Sequence, residues 1–189
     1  MTLASSLRRK CSLHVADVGA EIGFGGYIFA YSVASCGLQF DESAAAYLTA
    51  TYWGAFTAGR VLAIPLSMVA SPRTLTALDV AGCLVSSLAI YSWPDSVAVL
   101  WVGTAAFGLS LASVFPSTFT MLERLVSLDG GAASIIMIGS AGGEMLMPLL
   151  IGTLFDSPAH GPSSFPVVLA TVGVVGAVLF AVLLRLAAS

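Results

Sequence analysis

Charge is what this chain has least of: Asp, Glu, Lys and Arg together make up 9% of its 189 residues, against 58% hydrophobic residues. Lys10 is the lone lysine, Gln39 the lone glutamine, and asparagine is missing altogether. Soluble domains carry about a quarter charged residues, so water is excluded as the main solvent of this surface and the bilayer takes its place. A partner nucleic acid is excluded too, because the basic run Arg8-Arg9-Lys10 stands alone and the net charge is -3. Cys11, Cys36 and Cys83 lack metal-ligand or redox spacing and read as small apolar fillers, so neither a metal site nor a disulfide framework is expected. No Ser-His or paired-Asp motif supports an intramembrane enzyme, and His14 and His160 both fall outside the long apolar runs. A cleaved signal peptide is not expected either, since Asp17 and Glu21 interrupt the first apolar run and no small-residue cleavage site follows it.

What the chain has in quantity is apolar sequence in lengths of about 20 residues, enough to cross roughly 30 Å of hydrocarbon. Six such runs stand at approximately 17–37, 44–69, 74–92, 97–122, 131–154 and 166–187. They predict an all-α polytopic membrane protein: a cytoplasmic segment over 1–16 and a six-helix transmembrane domain over 17–187. Pro, Gly, Ser and Asp punctuate the short breaks, as in Trp93-Pro94-Asp95-Ser96 and Asp156-Ser157-Pro158. If six crossings alternate, Arg8, Arg9, Lys10, Arg73, Arg124 and Arg185 all fall on one side, and the opposite loops hold no Lys or Arg. Positive charge marks the cytoplasmic face, so both termini are expected there.

The spans differ in polarity. The third and sixth are bland and read as lipid-facing, while the others carry ionisable or small residues suited to a cavity or helix interface. This triplet pattern suggests a three-plus-three repeat. Glu21, Arg60 and Glu144 are the groups stranded at depth, and an ionisable residue there points to an ion or substrate pathway. Arg60 requires a carboxylate, with Glu21 and Glu144 available; a fixed structural pair and a pair that breaks during transport both remain open. On the first helix Asp17, Glu21, Gly25 and Ile28 share a face, and Gly19, Gly23, Gly26, Ala30 and Ala34 form a small-residue ridge. The run Gly23-Phe24-Gly25-Gly26 fits either a bend or close packing. Pro148 denies the Glu144 carbonyl its helical donor, beside the small Gly143, and Pro116 does the same to Ala112. Tyr27, Tyr31, Tyr52 and Trp53 are the in-span aromatics on which a sugar could stack, with Trp53 and Tyr27 preferred.

Gly19 through Phe29 and Tyr47 through Arg60 resemble the seventh and eighth helices of the major facilitator superfamily, in the branch of sodium-dependent glucose transporter-like proteins related to fucose-proton symporters. Gly108 through Pro116 is similar to the family's tenth helix, and Gly139 through Asp156 to its eleventh. The resemblance implies the C-terminal half of a secondary carrier for a sugar or similar small polar solute. It also implies alternating access with an N-terminal half absent from this sequence, so the expectation is a fragment or truncated gene model first, and otherwise a half-transporter that pairs with a second copy or another chain. Coupling to Na+ or H+ would use Glu144, with Arg60 setting its charge and Glu21 gating; no cofactor is implied. The rival expectation is a non-transporting membrane scaffold whose buried charges are structural.

Overall fold

The computed structural model describes residues 3–35, 37–38, 40–125 and 130–188, with side chains described over most of 18–120 and 130–185. All regular structure in them is helical: α1 (Leu3–Ala34), α2 (Glu42–Val69), α3 (Pro72–Ser92), α4 (Val97–Leu111), α5 (Val114–Leu125), α6 (Gly130–Phe155) and α7 (Ser164–Ala188), with a 3₁₀ turn at Gly161–Ser163. The starts follow local chemistry. Asp41, Ser71 and Ser96 each accept a backbone N–H from the first turn of α2, α3 and α4, and Pro72 stands where a missing N–H costs nothing. Four stretches are long and apolar enough to cross a membrane by length and composition: Pro72–Ser92, Val97–Thr120, Met137–Phe155 and Gly161–Arg185. The chain is an integral membrane protein.

One expected helix is interrupted. The run over 97–122 divides into α4 and α5 at Ala112 and Ser113, because Pro116 has no N–H to offer the Ala112 carbonyl. Ala112 keeps right-handed helical angles, and the ladder resumes with the Ser117 N–H donating to the Ser113 carbonyl at 3.0 Å. Elsewhere the helices are continuous: α1 runs through Gly23 to Gly26, and α6 runs through Pro148. Close packing is the reading that applies to the first glycine run.

α1 lies along α6, α2 along α4, and α3 against both α4 and α7, with α1 also touching α2 and α7. Treating α4 and α5 as one span, exchange of the first three spans with the last three relates the α1–α6 and α2–α4 pairs, whereas the α1–α2 contact has no counterpart of that extent on α6. Gly37, between α1 and α2, packs directly on the Asp95 side chain between α3 and α4, so two loops free of Lys and Arg meet at one end of the bundle. The core centres on Phe24, whose ring lies 4.7 Å from Phe107, 4.8 Å from Tyr52 and 5.6 Å from Phe165, joining α1, α2, α4 and α7. α3 and α7 bury their facing sides and leave apolar residues such as Leu78, Val85, Val174 and Val178 exposed.

Candidate solute and ion pathway

Residues four apart stack on one helix face, and on α2 Tyr52, Phe56 and Arg60 form such a column. The Arg60 guanidinium carbon stands 4.6 Å over the centroid of the Phe56 ring, a cation–π contact. Its nitrogen reaches the Glu21 carboxylate of α1 at 3.9 Å. Among the described residues this is the one ion pair, and it chooses Glu21 over Glu144. Glu21 is 18% exposed and Arg60 53%, so the pair sits at the edge of the packed bundle.

Two small residues create this meeting. A methyl group at Gly25, one turn beyond Glu21, would lie 2.5 Å from a Trp53 ring carbon and 2.9 Å from one of Tyr52. Only hydrogen there lets both rings lie across α1. The Tyr52 hydroxyl then donates to the Glu21 backbone carbonyl at 3.0 Å. On α2, a methyl at Gly59 would meet the Leu109 carbonyl at 2.6 Å and Ala112 at 2.7 Å, so Gly59 seats the helix on α4 while its neighbour Arg60 turns outward.

α6 arrives by the same device. Methyl groups at Gly19 and Gly23 would strike the Gly143 carbonyl at 3.1 Å and Met147 at 2.9 Å, whereas Gly26 has nothing within 4 Å. Gly143 is buried in that contact, and the next residue, Glu144, is exposed. Glu144 of α6 therefore emerges next to the helix, α1, that carries Glu21 and its contact with Arg60.

The aromatic candidates separate. Trp53 stays 38% exposed beside the pair. Tyr31 is buried against Phe165 at 5.0 Å, and Tyr27 packs on Phe155 and Gly152 of α6. The structure does not bring Tyr27 or Tyr31 to the Glu21–Arg60 contact. Pro148, half-buried, follows Glu144 by one turn on α6, and Pro116 lies exposed on a cavity of about 580 Å³ whose lining also includes Arg60, Ser67, Leu75, Ser113 and Ser117. The sequence offers Tyr52 as an in-span aromatic and Phe56 on the Arg60 face of its helix; that Tyr52 bonds the α1 main chain and Phe56 lies under the guanidinium is visible only in the fold. Asp17 carries no described side chain, and Cys11, Cys36 and His14 likewise lie outside the described side chains.

Comparison with known proteins bears directly on a bundle of this kind. The chain is 36% identical over 170 residues to Sodium-dependent glucose transporter 1 of Xenopus laevis, covering 90% of this chain and 34% of that protein. The chain belongs to the major facilitator superfamily. It is also 39% identical over 173 residues to Sodium-dependent glucose transporter 1A of Mus musculus, covering 90% of this chain and 39% of the relative. Human Major facilitator superfamily domain-containing protein 4A is 33% identical over 147 residues, or 78% of this chain and 28% of its own length. The chain therefore spans about a third of the curated superfamily relatives it matches. No protein-family profile matches it.

Proposed function

We propose that this six-helix unit is the C-terminal half of a secondary carrier that moves a sugar or similar small polar solute. The observation that carries the reading is the Glu21–Arg60 contact beside the exposed Trp53, with Glu144 exposed on α6 next to the Gly143 that packs on α1. Charges at that depth are costly in lipid, so a face bearing them is suited to water, solute and a second six-helix half. That half belongs either to the same polypeptide or to a partner copy. Both termini are placed in the cytoplasm by the distribution of Lys and Arg, and 1–16 precedes the transmembrane domain of 17–187.

Trp53 offers an amphipathic ring on which a sugar stacks, and Arg60 and Glu21 supply hydrogen-bond donors and acceptors beside it. Glu144, uncommitted to Arg60, is the carboxylate in this pathway that a coupling Na+ or H+ neutralises. Tyr27 and Tyr31 act from the α1–α6–α7 core, by shaping the wall behind it. The test is uptake of labelled hexose into proteoliposomes holding this unit together with its N-terminal half, under an imposed sodium or proton gradient. Gradient-driven accumulation that Glu144→Gln abolishes, with the protein still inserted, is the expected result. Unchanged accumulation in that variant removes Glu144 from coupling, and no uptake in any arrangement removes the carrier.

A membrane scaffold with structural charges is the second reading, favoured by the closed Glu21–Arg60 contact and the Tyr52 bond that steadies it. It requires that Arg60 variants assemble poorly and that no solute moves.

A further inference from the structure

Asp79 has no part in the surface described above. It is the lone acid of α3, seven residues beyond Pro72, which is about 10 Å of helical rise. An ionised group at that depth needs compensation, and among the described residues no cation pairs with it. Its carboxylate instead accepts the Ser113 hydroxyl at 2.5 Å. Ser113 stands at the interruption between α4 and α5, where Pro116 leaves the Ala112 carbonyl without its helical donor. Gly82, three residues past Asp79, packs on the Ser110 side chain, three residues before Ser113, so the two helices are in register around this point. One turn past Ser113, Ser117 is buried to 9% exposure on the cavity wall.

We propose that Asp79, Ser113 and the freed carbonyl of Ala112 form a sodium-ion site, reached through the cavity that Ser113 and Ser117 line. Sodium is a hard cation that takes oxygen ligands, and interrupted helices in carriers expose carbonyls to it. The carboxylate supplies the compensating charge. On binding, the Ser113 hydroxyl turns its proton away from Asp79, and both oxygens face the ion. The site lies on the α3 side of the interruption, while Gly59 presses on Leu109 and Ala112 from α2, beside Arg60. Occupancy therefore bears on the joint between α4 and α5. The use of the ion in transport rests on the carrier reading; its binding does not.

The experiment is thermal unfolding of the full chain in lipid nanodiscs, titrated with NaCl against KCl and choline chloride at constant ionic strength. A saturable, sodium-specific rise of the midpoint is expected, lost in Asp79→Asn and retained in Asp156→Asn, a change at an exposed loop carboxylate. Ser113→Ala is expected to raise the half-saturating sodium concentration about tenfold, as one oxygen ligand is removed. If Asp79→Asn does not fold, the Ser113→Ala titration decides: an unchanged half-saturation overturns the site. So does a midpoint indifferent to sodium, or a response that vanishes only with Glu144→Gln. Sodium binding that depends on Asp79 in a protein that moves no solute would defeat the carrier reading and keep the site. Sodium-driven uptake without Asp79-dependent binding would do the reverse.

Discussion

The Tyr52 hydroxyl donates to the backbone carbonyl of Glu21, the residue whose side chain holds Arg60. α2 therefore grips α1 twice at one point, once through its own column of side chains and once through the partner's main chain. The pair at 3.9 Å is partly open to water and weak by itself; ion pairs of that kind contribute about 0.2–1 kcal/mol. A neutral hydrogen bond contributes about 0.5–1.5 kcal/mol. On these magnitudes the tyrosine, more than the charges, sets where Glu21 stands.

Tyr52→Phe keeps the ring packed on Phe24 and removes only the hydroxyl. It is expected to lower stability by about 1 kcal/mol. Thermal or denaturant unfolding in nanodiscs measures this, and a loss below about 0.3 kcal/mol would show that the bond has no weight.

Glycine 25 and its neighbour make a controlled comparison. Gly25→Ala places a methyl group against Trp53 and Tyr52 and is expected to cost about 1–3 kcal/mol through overpacking. Gly26→Ala meets nothing within 4 Å and gains helix propensity, so in this unit it is expected to stabilise by up to about 1 kcal/mol. Equal effects of the two substitutions on the unfolding midpoint would contradict the packing described for α1 and α2.

A double-mutant cycle between Glu21→Gln and Arg60→Gln isolates their coupling, expected at about 0.2–1 kcal/mol. The same cycle with Glu144→Gln in place of Glu21→Gln is expected to give a smaller value, since the guanidinium contacts Glu21. The reverse order would reassign the partner of Arg60.

Pro116→Ala restores an N–H opposite the Ala112 carbonyl and removes the reason for the interruption. The new amide is expected to be protected in hydrogen exchange, with α4 and α5 behaving as one helix. An amide at 116 that exchanges as fast as an unbonded one would mean that another contact, such as Asp79 with Ser113, holds the interruption open.

The six runs and their polarity were legible because a bilayer imposes a length and a composition on every span, whatever its neighbours do. Asp41, Ser71 and Ser96 were equally readable as helix starts, since capping is local. Gly19, Gly23 and Gly25 could be recognised as small without showing what they admit: Gly19 and Gly23 admit α6, and Gly25 admits the rings of α2. Tyr31 illustrates the opposite limit. Its sequence neighbourhood matches that of Tyr27 and Trp53, yet it lies in the core against Phe165, a residue 134 positions away in the chain.

Hydrophobic length, the spacing of acids and arginines, and the positions of Pro116 and Pro148 follow from the residues alone, because each acts through the backbone or the surrounding lipid. Which carboxylate Arg60 meets, that Pro116 interrupts its helix while Pro148 does not, and that Asp79 finds Ser113 were decided only by packing. Those outcomes depend on how closely two helices approach. That distance is set by contacts between residues far apart in the chain, which no local pattern encodes.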